Sequence, residues 1–194
     1  MTGPRNPMRW IPFLILAYLT ILLQTTLGRM LMFSAAGIGT IGPDLAALLA
    51  VFVAFYVRTW ADAMLAGWAL GMAVDLTAVA GVGAGTVVGP MAIAYALVAG
   101  LLFRVREAFF RERAVTQAFL AWAFCLLAHG AWVSMQALLV DGPVGWPEYG
   151  RTMLQAVGLA CYSAVLMPLM HFLLMRCQRW LLAAPVGPGT RPRR

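Results

Sequence analysis

Residues 61–80 read ADAMLAGWALGMAVDLTAVA. A helix needs about 20 mainly apolar residues to cross a hydrocarbon layer of about 30 Å, and this stretch has that length and composition. Gly67, Gly71 and Asp75 recur at every fourth position and therefore share one helix face. Small residues at this spacing let a second helix approach closely. An aspartate near the middle of a spanning helix costs about 2.5–3.5 kcal/mol on insertion scales, so Asp75 is expected to point into a bundle and find a donor there or become protonated. The face should be sensitive to bulk: Gly71→Leu is expected to be more damaging than Ala66→Leu.

The rest of the chain follows the same pattern. Of 194 residues, 62% are apolar and 11% are charged. A soluble domain carries about 25% charged residues, so lipid is the expected solvent. Apolar runs lie at residues 10–27, 43–57, 61–80, 85–103, 114–140 and 153–175. They predict an all-α polytopic membrane protein, with residues 1–182 forming a single bundle of six transmembrane helices and no separate soluble catalytic domain. Residues 183–194, rich in Pro, Gly and Arg, are expected to be a disordered cytoplasmic tail. The first run is too long for a signal peptide and no A-x-A site follows it, so an uncleaved first helix is expected. The second run is short, and Pro43 is expected at its first helical position, where a missing N–H costs nothing.

A net charge of +7 would in a soluble protein point to nucleic acid. Here all 14 basic residues are Arg, and most lie between the apolar runs, the arrangement that sets membrane orientation. With six spans, 12 fall on one side, namely Arg5, Arg9, Arg58, Arg104, Arg106, Arg111, Arg113, Arg176, Arg179, Arg191, Arg193 and Arg194, and only Arg29 and Arg151 on the other. Both termini are therefore expected in the cytoplasm, with Trp10, Trp60 and Trp180 at the inner interface and Trp146 and Tyr149 at the outer one. Membrane lipid, not nucleic acid, is the expected contact.

Few residues offer chemistry. Asp44 begins the second run, where exposed N–H groups and the positive dipole end favour a carboxylate. In an antiparallel pair of helices Asp75 would lie at a similar depth, which opens a paired-carboxylate reading, yet there is no Gly-x-Gly-Asp and the only Asn is Asn6. His129 follows Cys125 by one turn without further metal ligands in sight, and a hydrogen bond across helices is the better expectation. His171 is expected at the interface, and Gly81 to Gly85 in a tight turn. Arg58 and Asp62 are spaced to pair, and residues 104–113 read as a basic amphipathic loop on headgroups. Cys125, Cys161 and Cys177 show no CxxC spacing and read as packing residues. No catalytic residue, cofactor or metal site is expected.

The order of features resembles the bacterial rod shape-determining MreD family. Gln24 in Leu23-Gln24-Thr25-Thr26-Leu27, then Pro43-Asp44-Leu45, then Gly67, Gly71 and Asp75-Leu76, then a Gly-rich hairpin and Tyr95 carry the resemblance, which covers about the first 105 residues. It implies a non-enzymatic inner-membrane component of the cell-wall elongation complex. The implied partner is an MreC-like protein with one span, and indirect partners are MreB, RodA and a penicillin-binding transpeptidase. Gln24, Pro43, Asp44, Gly67, Gly71, Asp75 and Tyr95 are then structural or partner-binding candidates. The competing reading is the substrate-binding subunit of an energy-coupling-factor vitamin transporter. Such a subunit is expected to carry an Ala-x-x-x-Ala face on its first helix, where this chain has Ala17 alone.

Overall fold

Leu45–Tyr56 is apolar on every side, and in the computed structural model all of its residues from Leu45 to Phe55 are buried. This helix is the axis on which the others are arranged. The structure describes residues 8–35, 37–79, 88–106, 114–139 and 146–181. Along the chain these form α1 (Trp10–Met30), β1 (Phe33–Ala35), β2 (Gly39–Ile41), α2 (Leu45–Tyr56), α3 (Trp60–Val79), α4 (Pro90–Val105), α5 (Ala114–Leu139) and α6 (Trp146–Leu181). The fold is all-helical apart from one short antiparallel hairpin, in which Ser34 pairs with Thr40.

Among the described residues, three helical segments are long and apolar enough to cross a membrane: Trp10–Gly28, Val115–Leu139 and Trp146–Cys177. Helices α2 and α4 are shorter, and 12 residues of α2 rise only about 18 Å. The second run, read from sequence as short, forms α2 and is wrapped by α1, α3, α4, α5 and α6. The outward faces are apolar as well. Leu14, Ile15 and Tyr18 of α1, Phe119 and Leu127 of α5, and Val165 and Phe172 of α6 are exposed. The Thr20, Thr25 and Thr26 hydroxyls of α1 donate to carbonyls one turn back, so these polar groups need no outside partner.

Several boundaries differ from the sequence reading. Asp44, not Pro43, opens α2: it is the N-cap, with Leu45 the first helical residue. The side-chain acceptor of Asp44 outweighs the helix-start preference of Pro43, which sits just outside the helix. Helix α4 begins at Pro90 instead of residue 85, with Gly89 at the cap. Helix α6 starts at Trp146 and absorbs half of the connection expected at residues 141–152. The hairpin is not anticipated by the apolar runs: the stretch after α1 pairs with itself and seats on α6. There the Arg151 Nε donates to the Ile38 carbonyl at 3.3 Å, and Phe33 meets Tyr162 edge to face. Arg58 and Asp62 form no ion pair among the described residues; the Asp62 N–H donates to the Thr59 hydroxyl oxygen at the start of α3. The Gly81 to Gly85 turn, most of the 104–113 loop and the 183–194 tail lie outside the described residues.

Candidate functional site

The first turn of any helix leaves N–H groups without intrahelical partners, and in an apolar interior each must be satisfied by a side chain. Buried α2 meets this demand with residues from three helices. The Asp44 carboxylate Oδ1 accepts the Ala47 N–H at 3.0 Å. The Gln24 side-chain carbonyl of α1 accepts the Ala46 N–H at 3.0 Å. The Asp44 N–H donates to the Ser163 hydroxyl of α6 at 2.9 Å.

The second oxygen of Asp44 looks the other way. Its Oδ2 accepts the Tyr95 hydroxyl of α4 and stands 3.3 Å from His129 Nε2 of α5. The Tyr95 ring is fully buried and meets Phe124 edge to face at 5.2 Å. Four helices thus converge on Asp44: α2, α4 and α5 at its carboxylate and α6 at its backbone N–H. Cys125, one turn before His129, supplies its backbone carbonyl to His129 Nδ1 at 3.0 Å.

Asp75 performs the same task for α4. Its Oδ2 accepts the N–H groups of Gly89, Met91 and Ala92 at 2.9, 3.1 and 3.2 Å. Gly89 has φ of 119°, a conformation that L side chains rarely adopt, and this turn presents its N–H to the carboxylate. One and two turns earlier on the same face, Gly71 and Gly67 lie directly on the α4 backbone. A Cβ on Gly71 would sit 2.5 Å from the Met91 carbonyl oxygen, and one on Gly67 would sit 2.7 Å from that of Tyr95. The glycines allow the approach and Asp75 fixes its register, as the spacing of the sequence anticipates.

The two carboxylates take different partners. Asp44 serves the start of α2 and Asp75 the start of α4, and among the described residues no hydrogen bond joins them. His171 is also not simply interfacial. It shares a hydrogen bond of 3.1 Å with Gln117 of α5 and packs against Phe52 and Tyr56 of α2. Ala66, read from sequence as an off-face control, is fully buried.

One brace was missed by sequence reading. Arg106, assigned there to a headgroup-binding loop, folds back so that Nη1 donates to the carbonyls of Ala54, Phe55 and Val57 at the end of α2. It caps the helix end whose unpaired carbonyls carry the negative dipole. An Arg shortly after an apolar helix gives no local sign that its target lies 50 residues earlier in the chain. Among the described residues, no three His, Cys, Asp or Glu side chains gather as metal ligands.

Fold and site together define an all-helical protein with three helices, among the described residues, long and apolar enough to cross a membrane, in which buried polar side chains hold helix ends to one another. No family model, curated protein or solved structure matches the chain.

Proposed function

We propose that this chain is a non-enzymatic scaffold of the bacterial inner membrane, a six-span component of the cell-wall elongation machinery that binds an MreC-like partner. One observation carries the scaffold reading. The residues on which the MreD resemblance rests are the ones committed to bracing: Gln24 and Asp44 at the start of α2, Asp75 at the start of α4, Tyr95 on Asp44, and Gly67 and Gly71 in the α3–α4 contact. Carboxylates whose lone pairs are occupied by backbone N–H groups are poorly placed to activate water, which favours structure over hydrolysis. The 12-to-2 division of Arg supports both termini in the cytoplasm. Through MreC the complex would reach MreB, RodA and a penicillin-binding transpeptidase, with membrane lipid around the bundle.

A vitamin-transporter subunit is the second reading. A binder needs several polar groups converging on a concavity. The groove of about 360 Å³ between the start of α4 and the end of α5 is walled by apolar residues such as Ile93, Met135 and Leu138, which favours the scaffold.

Affinity purification of the tagged full-length chain from its native membranes, with identification of the proteins retained, separates the two. MreC-like and MreB-like proteins are the expected company. Recovery of a transporter's ATPases in their place would overturn the scaffold assignment.

A further inference from the structure

The contact between Asp44 and His129 carries information about protons. The two ring nitrogens of histidine differ, and the partner of each decides whether it bears a hydrogen. Nδ1 of His129 lies 3.0 Å from the Cys125 carbonyl oxygen. A carbonyl only accepts, so Nδ1 is the donor and holds the ring's first proton. Nε2 lies 3.3 Å from Asp44 Oδ2, the oxygen that also accepts the Tyr95 hydroxyl. Were ring and acid to carry no further proton, the Nε2 lone pair would face carboxylate lone pairs. Asp44 is only 2% exposed, so water would screen little of that repulsion.

One further proton turns the repulsion into attraction. On Nε2 it makes an imidazolium–carboxylate pair, and on Oδ2 it makes a carboxylic acid donating to a neutral ring. We propose that Asp44 and His129 form a proton-binding site inside the bundle, in which a single proton is held between α2 and α5.

The surroundings are consistent with that assignment. Tyr95 of α4 and the Ala47 N–H both donate to the carboxylate, the arrangement suited to an ionised acid. Cys125 lies on the preceding turn of α5, the Ser163 hydroxyl of α6 takes the Asp44 N–H, and Gln24 of α1 holds the next free amide. Asp75 of α3 is turned to the α4 amides, and Arg106 serves the opposite end of α2. Among the described residues, His129 is therefore the basic side chain in ion-pair range of Asp44. The His129 side chain is 12% exposed against 2% for Asp44. The site stands independently of the scaffold reading, since a buried proton suits a scaffold and a transporter subunit alike.

The test uses the full-length protein in detergent micelles with isotopically labelled histidine. Nitrogen NMR reports how many ring nitrogens bear hydrogen, and His171→Gln removes the only other histidine signal. At neutral pH the His129 ring is expected to carry hydrogen on both nitrogens. In Asp44→Asn the side-chain amide can donate to Nε2 itself, so the ring is expected to fall back to hydrogen on Nδ1 alone. A ring with one hydrogen in the wild type supports the site only if carbon NMR of labelled aspartate finds the Asp44 carboxyl protonated. A singly protonated ring beside an ionised Asp44 would overturn the proposal, as would an imidazolium that persists unchanged in Asp44→Asn. If Asp44→Asn fails to fold, the two wild-type spectra decide.

Discussion

Gly71 of α3 lies against the Met91 carbonyl of α4 so closely that a Cβ at Gly71 would fall 2.5 Å from that oxygen. The obstacle is backbone, not the flexible end of a side chain. In lipid the hydrophobic effect gives helices no reason to associate, so close packing and hydrogen bonds across the contact must do so. The α3–α4 pair uses both, with two glycines for approach and one carboxylate for register.

Added bulk on this face should separate the pair. Gly71→Ala and Gly67→Ala are expected to destabilise by about 1–3 kcal/mol through overpacking. Gly150→Ala, on α6 with open space around it, should be neutral or slightly stabilising. Thermal unfolding in detergent, followed by circular dichroism, compares the three. Equal losses at all three positions would show that the α3 face has no special status.

Asp75 holds three backbone N–H groups in a site where it is 4% exposed. Asp75→Asn retains an acceptor of the same shape, whereas Asp75→Leu leaves those amides unsatisfied, at about 1–3 kcal/mol for each group that finds no new partner. Yield of monodisperse protein should fall modestly for Asn and severely for Leu, and retention of an MreC-like partner should follow the yield. An Asn variant that is well assembled and binds its partner, yet fails rod-shape complementation as completely as Leu, would favour proton chemistry at Asp75 over a structural role.

Arg106 should matter for the same reason at the other end of α2. Arg106→Ala strips a donor from the carbonyls of Ala54, Phe55 and Val57 and is expected to cost about 1–3 kcal/mol. Arg106→Lys keeps one cationic donor but not the guanidinium fork, so it should fall between the two. Hydrogen exchange at the last turn of α2 reads this locally, with faster exchange expected in Ala than in Lys.

The proposed six-span topology predicts which segments a membrane-impermeant thiol reagent reaches. In a background with Cys125, Cys161 and Cys177 replaced by Ser or Ala, cysteine at residue 84 or 145 should label from the periplasm. Cysteine at residue 110 or 187 should label only after permeabilisation. Periplasmic labelling at residue 187 would break the topology.

The sequence by itself determined the apolar character of the helices, the helical class and the close-contact face of α3. Each of these is a property of composition or of local spacing: apolar runs interrupted by Arg, and small residues at every fourth position. It also marked Asp75 as an acid that must find a partner and Asp44 as a helix-start residue, while Gln24 and Tyr95 stood out through the MreD resemblance. Which partners they find was decided only by the tertiary structure. Gln24 meets Ala46 across 22 residues, Tyr95 meets Asp44 across 51, and Asp44 meets Ser163 across 119. No local periodicity records such distances, because hydrogen bonds between helices depend on which helices pack and in what register. The same reason explains the errors. The sequence puts the two aspartates at a similar depth without assigning their partners, because a buried carboxylate bonds with whichever unpaired amides lie nearest, and each acid had a different helix start within reach. Arg106 read as a loop charge until α4 brought it beside the open carbonyls of α2, where a buried helix end needs a donor.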